Sequence, residues 1–358
     1  MSTRDRHAER PRYMRCLRKT EPEPGFHLEQ ATKPVPLRGE VLIRVTSAAI
    51  CGTDVHIYQW DEWSANRIKP PTIIGHEFVG VVEQLGQGVT QPLGVGQRVS
   101  AEGHICCGTC YYCRTGKAHL CQSVEIIGVD RDGCFADWIS MPAGNVWPIH
   151  ADIPDRWASV MDPLGNAMHT VASADVAGAS VLCVGAGPIG LFSVPIAKAR
   201  GASRVIVSEP NAYRRGLAEA VGADLVLDPT TGDLEAAVME VTRGMGVDVI
   251  LEMSGHPGAF RQALRLARLA GTMVLLGIPS REFAIDWAEE VIFKALTLVG
   301  VNGRRMFETW YQTEEFLLTH GPSIEPVLTH TMPMEDFDTA FRYLTSGRAG
   351  KIILDFGG

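Results

Sequence analysis

The sequence predicts an α/β protein of two parts, one rich in β-strands and one built on a doubly wound parallel sheet. Three observations carry this prediction. Short apolar runs separated by Gly/Pro turns fill the chain from Met14 to about residue 100. Strand-like and helix-like segments alternate after about residue 165. The chain has 358 residues, more than one hydrophobic core comfortably organises, so about two domains are expected.

Composition excludes several classes of protein. The chain is 46% hydrophobic with a net charge of -8, so it can bury a core and shows no basic surface for nucleic acid or an anionic membrane. The first 18 residues are rich in Arg and lack the apolar region of a secretory signal. No window approaches the roughly 18 apolar residues of a membrane span. We therefore expect a cytoplasmic protein whose thiols are reduced.

The elements follow this order along the chain. Residues 1–13 are polar and charged and are expected to form a flexible arm, and residues 14–165 the β-rich domain, with EVLIRVTSAAI and FVGVVEQLG as strands. In residues 166–302, SVLCVGAG, RVIVSE, DVILEMSG and TMVLLGIP are strand candidates, and PIGLFSVPIAKAR, NAYRRGLAEAVG and PGAFRQALRLARL are helical. Residues 303–358 are mixed and are expected to pack back on the N-terminal part.

Five of the nine cysteines lie between residues 106 and 121. Cys107, Cys110, Cys113 and Cys121 have the spacing C-x2-C-x2-C-x7-C, which lets a tight loop direct four thiolates at one ion and leaves no open coordination position. Cys106 is out of this register. The spacing predicts a structural zinc lobe over residues 104–121, with iron–sulfur ligation as the alternative.

A glycine pattern follows the first strand of the second domain. Gly185, Gly187 and Gly190 form G-x-G-x-x-G between a strand-like and a helix-like run, where the backbone can approach a pyrophosphate at a helix N-terminus. Glu209 ends the next strand 19 positions after Gly190, as an acceptor for ribose hydroxyls should. Its carboxylate repels a 2′-phosphate, so NAD is expected over NADP. Arg214 either stacks near the adenine or is a solvated helix charge.

A second set of metal-binding residue types lies in the N-terminal domain. Cys51 follows a strand in C-G-T-D-V-H, and His76 and Glu77 begin another strand in G-H-E. A thiolate, an imidazole and a carboxylate suit zinc, and three protein ligands leave one position exchangeable, as in a catalytic site.

These motifs together resemble one family. C-G-T-D-x-H, G-H-E, the four-cysteine lobe, D-P-x-G-N and G-x-G-x-x-G occur in this order in the zinc-dependent medium-chain alcohol dehydrogenases. The resemblance runs from about Met14 to the C-terminus. It implies a GroES-like catalytic domain made from both chain ends around an inserted Rossmann domain, NAD and two zinc ions per subunit, a small-molecule substrate and a homotetramer.

The resemblance also implies roles for single residues. Asp162 matches an acidic position near the catalytic metal, and Thr53 and His56 match a proton relay. The family's cofactor contacts match Ile189, Glu209, Arg214, Leu276, Gly277, Ile278, Val301 and Asn302. The family often has an aromatic residue where this chain has Asn302.

The implied reaction is oxidation of a substrate hydroxyl with hydride transfer to NAD. Zinc lowers the pKa of the hydroxyl, and Thr53 passes its proton through a ribose hydroxyl of the cofactor to His56, which releases it to solvent. If the substrate has an amino group, Asp61 and Glu62 are candidate partners, although the segment is more readily interpreted as a surface loop anchored by Trp60 and Trp63. Within the same chemistry, the alternative to a substrate with an amino group is a polyol or another secondary alcohol. A non-catalytic NAD-binding regulator is the alternative outside enzymes.

Overall fold

The computed structural model describes residues 12–357; most of the arm predicted at residues 1–13 lies outside them. The strands are β1 (Tyr13–Lys19), β2 (His27–Thr32), β3 (Glu40–Ala49), β4 (Thr72–Ile73), β5 (Glu77–Leu85), β6 (Arg98–Ala101), β7 (His104–Ile105), β8 (Glu125–Ile126), β9 (Trp138–Pro142), β10 (Val146–Pro148), β11 (Ser180–Val184), β12 (Arg204–Ser208), β13 (Leu225–Leu227), β14 (Val247–Glu252), β15 (Ala267–Leu275), β16 (Thr297–Gly300), β17 (Leu328–Pro333) and β18 (Lys351–Asp355).

The helices are α1 (Gly52–Gln59), α2 (Glu62–Arg67), α3 (Tyr111–Arg114), α4 (Asp155–Ala158), α5 (Met161–Ala172), α6 (Pro188–Ala199), α7 (Ala212–Ala220), α8 (Leu234–Val241), α9 (Pro257–Leu266), α10 (Glu308–His320) and α11 (Phe337–Thr345). Short 3₁₀ turns cover Ala118–Leu120, Ala143–Asn145, Gly321–Val327 and Met334–Asp336, and a π-helical turn covers Ala288–Ile292.

A seven-stranded sheet organises the first domain. Its order is β10-β6-β5-β3-β18-β17, with β9 also paired to β3. The antiparallel pairing of β3 with β5 places Ala49 opposite Glu77, and Ala49 is also opposite Ile353 of β18. The C-terminal segment therefore returns to this sheet, as the sequence predicts, and three distant parts of the chain meet at one point.

The second sheet is six-stranded and parallel, in the order β13-β12-β11-β14-β15-β16. Successive side chains of β11 enter two different cores: Val181 and Cys183 pack with residues of α5 and α6, whereas Leu182 and Val184 pack with residues of α8 and α9. This alternation buries both faces of the sheet, as a doubly wound fold requires. The predicted fold class is confirmed.

Two local predictions are wrong. The helix predicted to run through ARL at residues 267–269 ends at Leu266. Ala267 adopts an extended backbone instead and begins β15, where it pairs with Val247 of β14. The surface loop expected around Trp60 and Trp63 contains α2 instead. Trp60 adopts a left-handed conformation with φ 54° that ends α1, and the side chain of Asp61 caps α2 by accepting from the Ser64 N–H.

Pro195 lies inside α6, as the sequence predicts. In the described part of the chain, no helix is long and apolar enough to cross a membrane. The domain boundaries drawn at residues 13, 165 and 302 remain predictions.

Candidate metal and dinucleotide sites

The four predicted cysteines converge on one point beside α3. The Sγ–Sγ distances are 3.9 Å for Cys107–Cys113, 3.5 Å for Cys110–Cys113, 4.0 Å for Cys110–Cys121 and 3.5 Å for Cys107–Cys121. Tetrahedral zinc with bonds of about 2.3 Å separates its sulfur ligands by about 3.8 Å. The spacing suits four thiolates on a single ion better than a cluster in which each iron takes its own thiolate.

Backbone N–H groups donate hydrogen bonds to two of these sulfurs, which favours their thiolate form. The N–H of Cys110 donates to Cys107 Sγ, and those of Cys107 and Ser123 donate to Cys121 Sγ. Backbone N–H groups of Thr109 and Cys110 lower the pKa of Cys107 to about 6. Cys106 lies outside the group, with its Sγ 3.1 Å from Ala118 O and 3.4 Å from Met306 Sδ.

Cys51, His76 and Glu77 form a second group, whose ligand atoms all lie within 4.8 Å of one another. The pairing of β3 with β5 brings them together, because Cys51 follows the end of β3 and Glu77 begins β5. Gly75 permits the turn: its φ is +89°, and a Cβ there would lie 2.2 Å from the Phe135 ring. Sulfur, nitrogen and oxygen donors at this spacing fit zinc with one position open.

The negative charges of Cys51 and Asp54 around this group also favour a bound cation. Burial lowers the pKa of His76, but the neighbouring Cys51 and Asp54 raise it to about 10. Asp54 is fully buried, its Oδ2 accepts from the Cys51 N–H at 2.9 Å, and its Oδ1 lies 3.8 Å from His76 Nδ1. At that distance the two atoms interact through charge and not through a hydrogen bond, and both are buried without a hydrogen-bond partner.

Lys351 is a member of this site that the sequence analysis missed. Its Nζ lies 2.6 and 2.5 Å from the two carboxylate oxygens of Glu77 and donates to Ile50 O at 2.8 Å. Burial raises the pKa of Glu77 and the Lys351 ammonium opposes this. Lys351 is 274 positions from Glu77, and no local motif marks it.

A buried ionic network lies on the other side of the group. Arg304, 2% exposed, donates from Nη1 to Asp162 Oδ2 at 2.6 Å and from Nε to Glu102 Oε2 at 2.9 Å. Asp162 Oδ1 is buried without a hydrogen-bond partner, and the Asp162 charge acts on both His76 and Glu77. Gly165 in the D-P-x-G-N motif makes room, because a Cβ there would lie 2.8 Å from Arg304 Cδ.

Glu102 and Arg304 were not among the predicted site residues. Glu102 is fully buried and also accepts hydrogen bonds from the Trp310 Nε1–H and the His104 N–H, both at 2.9 Å. Only G-R-R after β16 could have drawn attention to Arg304, and it has no metal-ligand or phosphate spacing.

The predicted relay residues lie on α1. Thr53 Oγ1 is 3.8 Å from Cys51 Sγ, and His56 is three positions later, on the same face of the helix. The His56 side chain is 59% exposed. Its Nδ1 lies 2.5 Å from Asp61 Oδ2. Thr53 is therefore beside the metal group and His56 reaches solvent, the two ends that a relay needs.

The glycine loop connects β11 to α6 as predicted. Gly185 has φ +94°, and a Cβ on Gly190 would lie 2.2 Å from Gly185 O, so neither position admits a side chain. α6 begins at Pro188, whose missing N–H costs nothing in a first turn. Glu209 is 4% exposed. Its Oε2 accepts from the Ala186 N–H at 2.7 Å and its Oε1 from the Asn211 N–H at 2.9 Å, which leaves lone pairs free for ribose hydroxyls.

The other predicted cofactor residues lie at the carboxyl ends of the parallel strands, where such folds bind dinucleotides. Leu276, Gly277 and Ile278 follow β15, Val301 and Asn302 follow β16, Ile189 lies in the first turn of α6, and Arg214 lies in the first turn of α7. Arg215 donates to Glu209 O and pairs with Asp228, whereas the buried Arg214 Nε has no partner.

Two family models match this chain. Residues 37–151 match the alcohol dehydrogenase GroES-like domain, and residues 188–319 match the zinc-binding dehydrogenase domain. Together they cover more than half of the chain. It belongs to the zinc-dependent medium-chain alcohol dehydrogenase family.

Individual relatives narrow this family membership. The chain is 46% identical to an L-threonine 3-dehydrogenase from Bacillus licheniformis, over 95% of this chain and 98% of the relative. It is also 46% identical to one from Coxiella burnetii, over 96% of this chain and 99% of the relative.

Several solved structures share the fold over nearly the whole chain. A protein described as a short chain alcohol dehydrogenase from Escherichia coli, complexed with NADH, has a TM-score of 0.87 at 28% identity, covering 97% of this chain and all of that one. A protein from Sinorhizobium meliloti bound to NADP scores 0.87 at 28% identity, covering 96% and 99%. The 2R,3R-butanediol dehydrogenase of Bacillus subtilis scores 0.86 at 26% identity, covering 96% and 99%.

Proposed function

We propose that this chain is an L-threonine 3-dehydrogenase that oxidises the hydroxyl of L-threonine to the ketone of L-2-amino-3-oxobutanoate, with hydride transfer to NAD+. The observation that carries the proposal is the 46% identity, over 95% of this chain and 98% of the relative, to a protein of that name. The convergence of Cys51, His76 and Glu77 supports it, because these residues supply a zinc site with an open position.

Two groups supply the chemistry that side chains cannot. Bound by Cys51, His76 and Glu77, zinc would polarise the substrate hydroxyl, and NAD+ held at the parallel sheet would accept the hydride. Cys107, Cys110, Cys113 and Cys121 would hold a second zinc with a structural role, since four thiolates leave no open position.

The chain's own residues manage the proton. Thr53 lies beside the metal group and takes the hydroxyl proton, and His56 passes it to solvent from the exposed end of the same helix face. Asp162 presents its unpartnered Oδ1 near the group while Arg304 holds the other oxygen. The electron pair of the carbon–hydrogen bond leaves with the hydride, and a carbonyl remains.

We infer that NAD is preferred over NADP. Glu209 directly follows β12 and places a carboxylate beside the glycine loop, which favours two ribose hydroxyls and repels a 2′-phosphate. Related structures contain NADH in one case and NADP in another, so the preference rests on Glu209 rather than on the fold.

A secondary-alcohol or polyol dehydrogenase is the second candidate, because a butanediol dehydrogenase shares the fold. Initial rates with L-threonine, sorbitol and 2,3-butanediol, each with NAD and with NADP, separate the two. The proposal requires the highest kcat/KM for L-threonine with NAD. A higher value for either of the other alcohols would assign the chain to the second candidate.

Resemblance to the family further supports a cytoplasmic homotetramer and the domain boundaries predicted from sequence. Light scattering coupled to size-exclusion chromatography tests the assembly. A mass of one or two subunits at micromolar concentration would contradict the tetramer.

A further inference from the structure

The contact between His56 and Asp61 is the best-defined interaction of the relay histidine. His56 Nδ1 and Asp61 Oδ2 lie 2.5 Å apart. The sequence offers Asp61 as a partner for a substrate amino group, but the structure directs one of its carboxylate oxygens at the imidazole instead. The His56 ring also meets the edge of the Trp63 ring, with 6.2 Å between centroids.

The second carboxylate oxygen anchors Asp61 to α2. Oδ1 accepts from the Ser64 N–H at 3.0 Å. The Ser64 hydroxyl lies 2.8 Å from the same oxygen and 2.7 Å from His56 O, so these two acceptors share its single hydrogen at the junction of α1 and α2. The two oxygens of Asp61 therefore have separate partners, and the helix cap holds the carboxylate in place for His56.

This arrangement selects one form of the imidazole. A carboxylate at Nδ1 stabilises the proton on that nitrogen, which leaves Nε2 as the nitrogen that accepts a proton. The buried aspartate of a Ser-His-Asp triad acts on its histidine in the same way, by fixing tautomer and orientation without becoming protonated.

We propose that Asp61 is a positioning residue of the proton relay, holding His56 with Nε2 ready to receive the proton that Thr53 passes on through a ribose hydroxyl of the cofactor. The inference rests on the proposed function. Nε2 accepts the relayed proton and then releases it to solvent, while Asp61 stays ionised throughout. No bond to Asp61 forms or breaks during turnover.

The test needs a variant that loses the His56 contact without losing the helix cap. Asp61→Ser meets this need, because serine is as good an N-cap as aspartate but is too short to reach the imidazole. Asn66→Ala is the matched control: it removes an exposed side chain of α2, whose Nδ2 donates to Glu62 O at 2.8 Å, and leaves the Asp61–His56 contact.

We expect Asp61→Ser to lower kcat for L-threonine about 10- to 100-fold, the scale on which an orienting partner acts. KM for L-threonine, the dissociation constant of NAD and the zinc content should remain within about twofold of wild type. Asn66→Ala should retain kcat. In a His56→Ala background, Asp61→Ser should cost nothing further, since the two residues act as one unit.

A readout without turnover separates this inference from the proposed function. Diethyl pyrocarbonate acylates an unprotonated imidazole nitrogen, and mass spectrometry follows the modification of His56. At a pH well above the range in which imidazoles titrate, it should be slower in Asp61→Ser than in wild type, because the carboxylate no longer keeps the ring proton on Nδ1 and Nε2 free, and unchanged in Asn66→Ala. Wild-type kcat and an unaltered modification rate in Asp61→Ser would overturn the inference. Absence of threonine oxidation by the wild type would overturn the proposed function, while the modification rates would still test Asp61.

Discussion

Arg304 and Asp162 form a buried ion pair, with 2.6 Å between Nη1 and Oδ2. The same guanidinium binds the fully buried Glu102. One cation thus compensates two carboxylates from different parts of the chain, at the side of the site where Asp162 faces His76 and Glu77. Removing the Arg304 guanidinium would leave the two carboxylates buried without water or a partner, and removing both carboxylates would do the same to the guanidinium.

Arg304→Met should therefore lower the free energy of unfolding by about 3–5 kcal/mol, the usual effect of breaking a buried pair on one side. Urea unfolding measures this. Arg305→Met is the control, because Arg305 forms only an exposed pair with Glu308 and should change stability by less than about 0.5 kcal/mol. Adding Glu102→Gln to Arg304→Met should recover part of the loss; a purely additive double variant would contradict the network.

The stability contributed by Glu102 should depend on pH. Burial raises the pKa of Glu102, but Arg304 and the bonds from His104 and Trp310 lower it to about 2. The unfolded chain has its Glu pKa near about 4.3, so below that pH the unfolded state binds a proton that the folded state does not. Stability then falls as the pH falls from about 4.3 towards 2.

Glu102→Gln lacks this dependence. Its deficit in unfolding free energy relative to wild type should be greatest above about pH 5 and should narrow below about pH 4. Urea unfolding at a series of pH values measures the deficit, and Glu282→Gln, at an exposed position, is the control without pH dependence. A deficit that stays constant with pH would show that Glu102 titrates normally.

Cys107→Ser should reduce thermal stability and zinc content more than it alters the ratio of kcat/KM between substrates. The four Sγ atoms are spaced for one tetrahedral ion, and binding of a structural zinc contributes directly to folding. Metal analysis should give about two zinc per wild-type chain and about one in the variant. Cys106→Ser, outside the group, should retain both; equal metal content in the two variants would refute the assignment.

Glu209→Ala should weaken NAD binding and reduce the preference of the enzyme for NAD over NADP. The carboxylate attracts the ribose hydroxyls and repels a 2′-phosphate, and both effects disappear together. Kinetic constants for the two cofactors measure the change, with the exposed Glu219→Ala on α7 as control. Michaelis constants that do not move for either cofactor would place the ribose contact elsewhere.

His56→Ala should lower kcat on the order of 10- to 10⁴-fold, the scale of lost acid–base assistance, while zinc and NAD still bind. Thr53→Ala should have a similar effect. The double variant should lose far less than the product of the two factors, because residues of one relay act as a unit. Gln59→Ala, exposed on the same helix, should be neutral. If kcat of the double variant fell by the product of the two single factors, Thr53 and His56 would have independent roles.

The features that the sequence predicts are those recorded in local spacing. The four cysteines, the glycine loop and the alternation of strands and helices all depend on residues within about 20 positions of one another, and their geometry follows from backbone rules. Cys51, His76 and Glu77 could be grouped because each residue type is a zinc ligand and each follows or begins a strand.

Residues whose roles depend on distant partners were not predictable in this way. Arg304 meets Glu102 and Asp162 across 202 and 142 positions, and Lys351 meets Glu77 across 274. Their side chains have no characteristic neighbours in the sequence, and only the strand order of the sheet brings them together. The contact of Asp61 with His56 spans only five positions, but it depends on the left-handed turn at Trp60, which no glycine marks.

The 274-residue separation of Lys351 from Glu77 also bears on how the protein is made. The four cysteines of the lobe leave the ribosome within 15 residues of one another, so they can capture zinc before the residues that follow them are made. The site at Cys51, His76 and Glu77 must wait for β18, because this strand carries the ammonium that neutralises Glu77 and pairs with Ala49 at the end of β3. The two metal sites would therefore mature in sequence during biosynthesis, the structural lobe before the catalytic group.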